Sequence, residues 1–315
     1  AAEHHGACTL PANVSRVLTA LDGGPALEEL GHQPDRQQVR LAASGFLISE
    51  LPLGAFSRER YGAPHVNIEV SDWPRLLPAV DITLEPHQTL RELEQAFPAT
   101  LVCTPETAIS TSQPAPTHTL WHARLPLDEA LSKANITWLG RYQCAWQFST
   151  RAAQHVYFSV PLHKQPQADD WHSLLHPAIA AAAPETEFCA FTATVRDHWH
   201  AGAVVYLGAA CSPGNPFLRE AQCLGLEDAW VLSRMQENYE EDIQDAFREY
   251  EKYRRARTRR VATAAARSAV DMNKSGAISR FLNYLNIALS TRFLPEIAMQ
   301  RIDWFYGHDC IRGFR

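Results

Sequence analysis

Residues 206–230 constrain this chain more tightly than any other stretch: Tyr-Leu-Gly-Ala-Ala-Cys-Ser-Pro-Gly-Asn-Pro-Phe-Leu-Arg-Glu-Ala-Gln-Cys-Leu-Gly-Leu-Glu-Asp-Ala-Trp. The apolar run 203–207 reads as the end of a strand. Gly, Pro, Ser and Asn then crowd into a loop, and helical text resumes before Trp230. Any fold for the chain must deliver a strand, a tight loop and a helix in that order.

The remaining text must supply a core around this unit. The chain has 315 residues, 46% hydrophobic and 20% charged, which suits one large globular domain or two interleaved ones. A formal net charge of -6 gives no electrostatic reason to expect nucleic acid or an anionic membrane surface. Basic residues gather between Arg254 and Arg260, beside an acidic stretch at 240–245, and read as a solvated helical face. The seven cysteines are scattered and odd in number, without a Cys-x-x-Cys pair. Reduced thiols in a cytoplasmic protein are expected, with neither a disulfide framework nor a zinc site. No run approaches ~20 apolar residues, so no membrane span is expected. The opening Ala-Ala-Glu-His-His lacks the marks of a signal peptide.

Along the chain, residues 6–18 lead into a helix carrying Val14, Val17, Leu18 and Leu21 on one side, ended by Gly23-Gly24. Short β-like runs follow at 38–41 and 46–51. A helix is expected at 89–96 and a strand at 100–103. From 113 to 195 the text is β-rich, with strands at 117–125, 136–139, 142–149 and 156–162. A helix carrying Trp171, Leu174, Leu175 and Ile179 comes next, and a strand at 187–194. Two helices should follow residue 223, the second starting near Asp242, and 278–302 forms an amphipathic tail.

These residues resemble a known family. Gly208, Ala210, Pro213, Pro216, Phe217, Leu226, Glu227, Asp228 and Ala229 fall on the flavin signature of the single-component FAD-dependent aromatic hydroxylases, the salicylate and 6-hydroxynicotinate hydroxylase type. Residues 6–18, 51–64 and the terminal Asp303-Trp-Phe-Tyr-Gly-His-Asp309 resemble further family segments. The resemblance implies an α/β fold of the FAD-dependent aromatic hydroxylase type, a Rossmann-like layer with an antiparallel β-sheet substrate domain and C-terminal helices. It divides the chain into a discontinuous FAD-binding-like domain (1–45, 74–112, 196–315) and a substrate domain (46–73, 113–195).

The departures bear on the cofactor. Ala209 stands where the family has the aspartate that holds a ribityl hydroxyl, and Ser212 stands in place of histidine. Glu220-Ala221 replaces the Gln-Gly beside the flavin ring, and 104–107 (Thr-Pro-Glu-Thr) replaces Gly-Ala-Asp-Gly, leaving Ser110 as a remnant. The first βα elements, with their Gly-rich phosphate turn, are also expected to be lacking. Gly208, Ala209, Pro213, Glu220 and Ala221 are thus remnants of a cofactor site, and no bound FAD is expected.

The candidate ligand pocket comprises Trp146, Phe148, Phe158, Pro216 and Phe217; the competing reading of the strand aromatics is plain sheet core. Cys211, just before a helix, could be an activated thiolate or an inert small residue. His198 and His200 could share a face toward a metal, but no third ligand is visible, so no metal is expected. Glu227 and Asp228 point about 100° apart on a helix and read as structural. Three functions follow: a divergent homologue that binds or transforms a small aromatic or polyketide-like molecule without flavin; a monooxygenase with unusual flavin contacts; or a non-catalytic partner of a true hydroxylase. A small aromatic ligand and a homodimer or partner hydroxylase subunit are the expected partners.

Overall fold

The computed structural model describes residues 6–77, 92, 99–103, 114–218, 224–240, 242–274, 276–293 and 295–314. The expected helix at 89–96, apart from residue 92, and residues 104–107, Ser110, Glu220 and Ala221, lie outside them. The chain opens with β1 (Ala7–Leu10), α1 (Ala12–Ala20) and α2 (Gly24–Leu30), then β2 (Arg36–Leu41), β3 (Leu47–Pro52), α3 (Gly54–Tyr61) and β4 (Val66–Glu69). After β5 (Thr100–Val102) come β6 (His118–Leu125), α4 (Glu129–Ser132), β7 (Ala134–Leu139), β8 (Cys144–Ser149) and β9 (Gln154–Pro161). The last third holds α5 (His176–Ala181), β10 (Ala183–Phe188), β11 (His200–Ala201), β12 (Val204–Tyr206) and four helices. These are α6 (Leu224–Asn238), α7 (Ile243–Met272), α8 (Ala277–Phe293) and α9 (Pro295–Tyr306).

A seven-stranded sheet in the order β10-β6-β9-β8-β7-β2-β3 dominates the centre. It is antiparallel except where β2 runs parallel to β7, so the expected antiparallel sheet is a mixed one. Residues 36–41, assigned from sequence to the nucleotide-binding side, belong to this sheet, and β4 pairs with β1 rather than joining it. Alternation of side chains gives the sheet two buried faces. One face packs Ala145, Val156, Phe158 and Trp138 under Trp171, Leu175 and Ala178. The other packs Leu120, Cys144, Trp146, Phe148 and Tyr157 under Ala7, Phe217 and Ala269.

A three-stranded sheet, β11-β12-β5, stands apart, with β12 parallel to β5. Val204, Val205 and Tyr206 from its central strand pack with Val231 and Leu232 of α6 and Phe247 and Tyr250 of α7. Helix α7 spans 30 residues and starts cleanly because the Asp242 carboxylate accepts from the Gln244 and Asp245 amides. Its buried positions Phe247, Tyr250, Arg254, Thr258, Val261, Ala265 and Ala269 recur at helical spacing along one face.

Three local differences from the sequence reading have physical causes. Helix α1 ends as expected, where the Gly23 amide donates to Leu18 O at 2.8 Å, but Gly24 then starts a new short helix with Pro25 in its first turn. The expected strand at 187–194 lies instead at Ala183–Phe188, where it pairs as an edge against β6, and residues 189–194 are not strand. The expected helix around Trp171–Ile179 is two 3-10 turns followed by a helix only from His176, since Pro177 suits a first helical turn. Among the described residues no helix is long and apolar enough to cross a membrane.

Buried polar groups are mostly paired, and His65 is an exception. It has no exposed surface, both ring nitrogens lack a partner, and the ring lies edge-on to Tyr306 at 5.6 Å. Burial pushes its pKa down to about 3, so the folded protein holds it neutral. A lowered histidine pKa contributes stability that is present above the unfolded value near ~6.5 and lost as pH falls from there toward the folded value. Replacing His65 with Phe should raise stability by about 1 kcal/mol or more at neutral pH, because two unsatisfied nitrogens disappear. It should also flatten the loss between pH 6 and 4; urea unfolding across that range checks both outcomes.

Candidate functional site

The site is built on the strand–loop–helix unit. Strand β12 delivers the chain to Gly208, which takes a left-handed backbone (φ +57°) and whose amide donates to Asp228 Oδ2 at 2.9 Å. A Cβ on Gly208 would lie 3.4 Å from Gly225 Cα, so loop and helix meet through two glycines. The Cys211 and Ser212 amides both return to Gly208 O at 3.0 Å, closing one tight turn. Further on, Asn215 pins the loop to the large sheet's end: its Nδ2 donates to Ala190 O (2.8 Å) and its Oδ1 accepts from the Phe217 amide (3.0 Å).

A cleft of about 750 Å³ opens between this loop, the rim of the large sheet and the inner faces of α6 and α7. Gly208, Ala209, Pro213 and Pro216 line it, together with Leu120 and Phe188 from the sheet and Thr258 and Val261 from α7. Residues 207–218 carry no charged side chain, so the loop meets the cleft with backbone and small or apolar groups. From the rim a chain of rings leads inward. Phe188 lies 6.2 Å from Phe217, and Phe217 stands edge-on to Trp146 at 5.3 Å.

The expected pocket residues therefore divide. Trp146, Phe148 and Phe217 share one cluster behind the cleft wall, all nearly fully buried. Phe158 does not join them: it faces the opposite side of the sheet, edge-on to Trp171 at 5.1 Å. Strand β9 alternates, and its cleft-side neighbours are His155 and Tyr157. Phe188 and Leu120 were missed as lining residues; the strand alternation that holds them was legible, but the pairing that brings the rim to the loop was not.

Below the rings lies a polar chain that no motif announced. Glu69 Oε1 accepts from Thr150 Oγ1 (2.7 Å) and from His155 Nε2 (2.9 Å), and His155 Nδ1 lies 3.0 Å from His122 Nε2. Burial pushes the Glu69 carboxyl up, but these hydrogen bonds outweigh it and hold the group below its ordinary value.

Behind the loop, electrostatics fix the geometry. Arg254 has no exposed surface; its Nε lies 2.7 Å from Asp228 Oδ1 and its Nη1 2.7 Å from Glu227 Oε2. Arg257 also donates to Glu227, at 2.7 and 2.8 Å, and Asn13 of α1 donates to the same carboxylate at 2.6 Å. The basic cluster at 254–260 is thus only in part a solvated face: carboxylates of a neighbouring helix draw Arg254 and Arg257 inward, while Arg259 and Arg260 are exposed, Arg260 lying 4.1 Å over Trp304. Glu227 and Asp228, about 100° apart on the helix, nevertheless converge on Arg254, and Asp228 also lines the cleft. Burial alone would raise the Glu227 pKa, yet Arg254 and Arg257 hold it well below the carboxylate range.

Among the described residues, Cys211 and His200 each make a different contact from the one a thiolate or a metal site needs. Burial pushes the Cys211 thiol far up, and its Sγ donates to Tyr206 O at 3.0 Å, so it is an inert residue of the turn. His200 Nδ1 contacts Glu251 Oε2 at 3.1 Å, and among the described residues no three metal-ligating groups cluster.

Removing Arg254 would leave two buried carboxylates without their shared partner. Arg254→Ala should cost about 3–5 kcal/mol in denaturant unfolding. A depressed carboxylate contributes stability present above its unfolded pKa near ~4.3 and lost as pH falls below it. Glu227→Gln should therefore be less stable at pH 7 and show a shallower acid limb than wild type, measurable by thermal melts from pH 7 to 3.

No family model matches the chain. By sequence it is 24% identical over 273 residues to the 6-hydroxynicotinate 3-monooxygenase of Pseudomonas fluorescens, covering 70% of each chain. It is 25% identical over 308 residues to the 3-amino-4-hydroxybenzoate 2-monooxygenase of Streptomyces cremeus, covering 84% of this chain and 77% of that one. By fold it matches Klebsiella pneumoniae HpxO complexed with FAD and uric acid, with a TM-score of 0.69 and 16% identity over 95% of this chain and 88% of the other. A salicylate hydroxylase substrate complex gives a TM-score of 0.70 at 13% identity, covering 96% and 88%. The fold is that of the FAD-dependent hydroxylases. The expectation that no FAD is bound is corrected by these comparisons: the relatives are monooxygenases, and the matching HpxO structure is an FAD complex.

Proposed function

We propose that this chain, flavin monooxygenase-like in sequence and in fold, is an FAD-dependent monooxygenase that hydroxylates a small aromatic compound. The observation that carries the reading is the cleft under the 208–217 loop, whose volume of about 750 Å³ and mixed lining suit a cofactor and a ring-sized acceptor. The residues present fit the ring end of a flavin. The loop is uncharged, Gly208 and Gly214 hold it in left-handed turns at φ +57° and +78°, and Pro213 and Pro216 give it rigid, flat walls. Ala209 offers no carboxylate there, so contact at that position falls to backbone and to the cleft's shape.

Bound FAD would supply the reduction of dioxygen by NADH or NADPH, placing one oxygen atom on the ring and the other in water. The chain's own residues bind and orient. Asp228 fixes the Gly208 amide and with it the start of the loop. Asn215 fixes the loop's end and sets Phe217 against Trp146. Leu120, Phe188 and Pro216 form an apolar wall for the acceptor ring. The acceptor wall comes from one chain, with Trp146 and Phe148 as its backing and Phe158 outside it.

Titration of the purified protein with FAD should show bound-flavin absorption bands and quenched flavin fluorescence. NADH or NADPH oxidation should then be stimulated by aromatic acids, with a hydroxylated product by mass spectrometry. A protein that takes up no flavin from excess FAD would defeat the proposal. Phe188→Ala should weaken an accepted aromatic ligand by about 1 kcal/mol, the loss of one apolar wall, while leaving FAD uptake intact.

A further inference from the structure

Helix α8 is turned outside in for a chain that stands alone. None of its 17 residues is buried. The side against the body consists of Arg280, Asn283, Tyr284, Ile287 and Thr291, all only partly covered. The side toward solvent carries Ile278 (77% exposed), Phe281 (64%), Leu282 (57%), Leu285 (40%), Leu289 (46%) and Phe293 (67%), and Ile297 (43%) extends the stripe onto α9. At about 100° per residue these positions fall within one sector of the helix. A contiguous apolar patch of more than a few hundred Å² is rare on a protein without a partner.

We propose that α8 is the surface through which two copies of this chain associate. Ile278, Leu282, Leu285 and Leu289 are spaced four, three and four residues apart, the alternation of a two-helix seam. A helix lying on a lipid surface needs an apolar sector but not that alternation, and it needs cations. Between residues 275 and 293 the charged side chains are Arg280 and Arg292 alone; Arg280 belongs to the inward side, the exposed Arg292 is the one cation within the apolar sector, and the whole chain carries -6. An anionic membrane is therefore a poor match. The positions flanking the seam, Ser279, Phe281, Asn286 and Ala288, are uncharged, so nothing there selects a different chain over an identical one. The area also suits: each partner of a standard interface contributes about 800 Å², and seven large apolar side chains at these exposures supply most of it. The association does not depend on the flavin reading, since none of the seven lines the cleft.

Sedimentation velocity over a concentration series tests the proposal, comparing the wild type with Leu285→Glu and Leu282→Gln. The wild type should be a dimer at micromolar concentration. Each variant should dissociate at least tenfold more readily, with an unchanged circular dichroism spectrum, because α8 buries no side chain in the monomer. A wild type that stays monomeric overturns the proposal, as does a dimer equally tight in both folded variants. Flotation of the wild type with phosphatidylglycerol vesicles, lost in Leu285→Glu, would assign the face to a membrane and overturn it too. Should Leu285→Glu misfold, hydrogen exchange of residues 277–293 in the wild type decides, since protection must rise with protein concentration.

Discussion

A guanidinium with no exposed surface, held between two carboxylates, places the working parts of this molecule. Arg254 ties α7 to Asp228 and Glu227 on α6. Asp228 uses its other oxygen on the Gly208 amide, and Glu227 reaches Asn13 on α1 and Arg257 one turn along α7. Arg257 in turn donates to Trp304 O, which brings in α9. Buried ion pairs give little net stability because desolvation offsets attraction, but breaking one is costly. The consequence is positional. The two carboxylates join α6 to α7, to α1 through Asn13 and to the loop through the Gly208 amide, which ties the start of the loop to the helices behind it.

That arrangement explains what was legible in the sequence. The strand–loop–helix unit was readable because each part carries a local signal: an apolar run, turn formers, helical spacing. The sheet strands were readable for the same reason, to within a few residues. What failed needed pairing information. Phe158 and Trp146 each alternate correctly along their own strands, yet the register Ala145 opposite Phe158 sends them to opposite faces. The same blindness hid Arg254 in a cluster that reads as a solvated face, since its partners lie 26 and 27 residues away on another helix. The polar chain Glu69–His155–His122 assembles from β4, β9 and β6, and no spacing within any of them foretells it.

The sequence reading about flavin went wrong by a different route. It weighed the lacking Gly-rich phosphate turn together with the replaced positions 104–107, Ala209, Ser212 and Glu220-Ala221, as if their sum decided binding. A hydrogen bond contributes about 0.5–1.5 kcal/mol net, and up to about 3 when one partner is charged. Micromolar binding corresponds to about 8 kcal/mol. For a cofactor of many contacts, losing one such bond lowers affinity by one or two orders of magnitude without removing the site. What a site cannot lose is the shape that lets backbone and ring approach, and here that shape persists: Gly208 keeps its left-handed turn, Gly225 leaves room for the loop against α6, and Asp228 still holds the amide. These contacts lie within the chain's own scaffold, so they survive exchange of the polar groups that face the cleft. The missing carboxylate therefore bears on one polar contact of the loop and not on the loop's backbone shape.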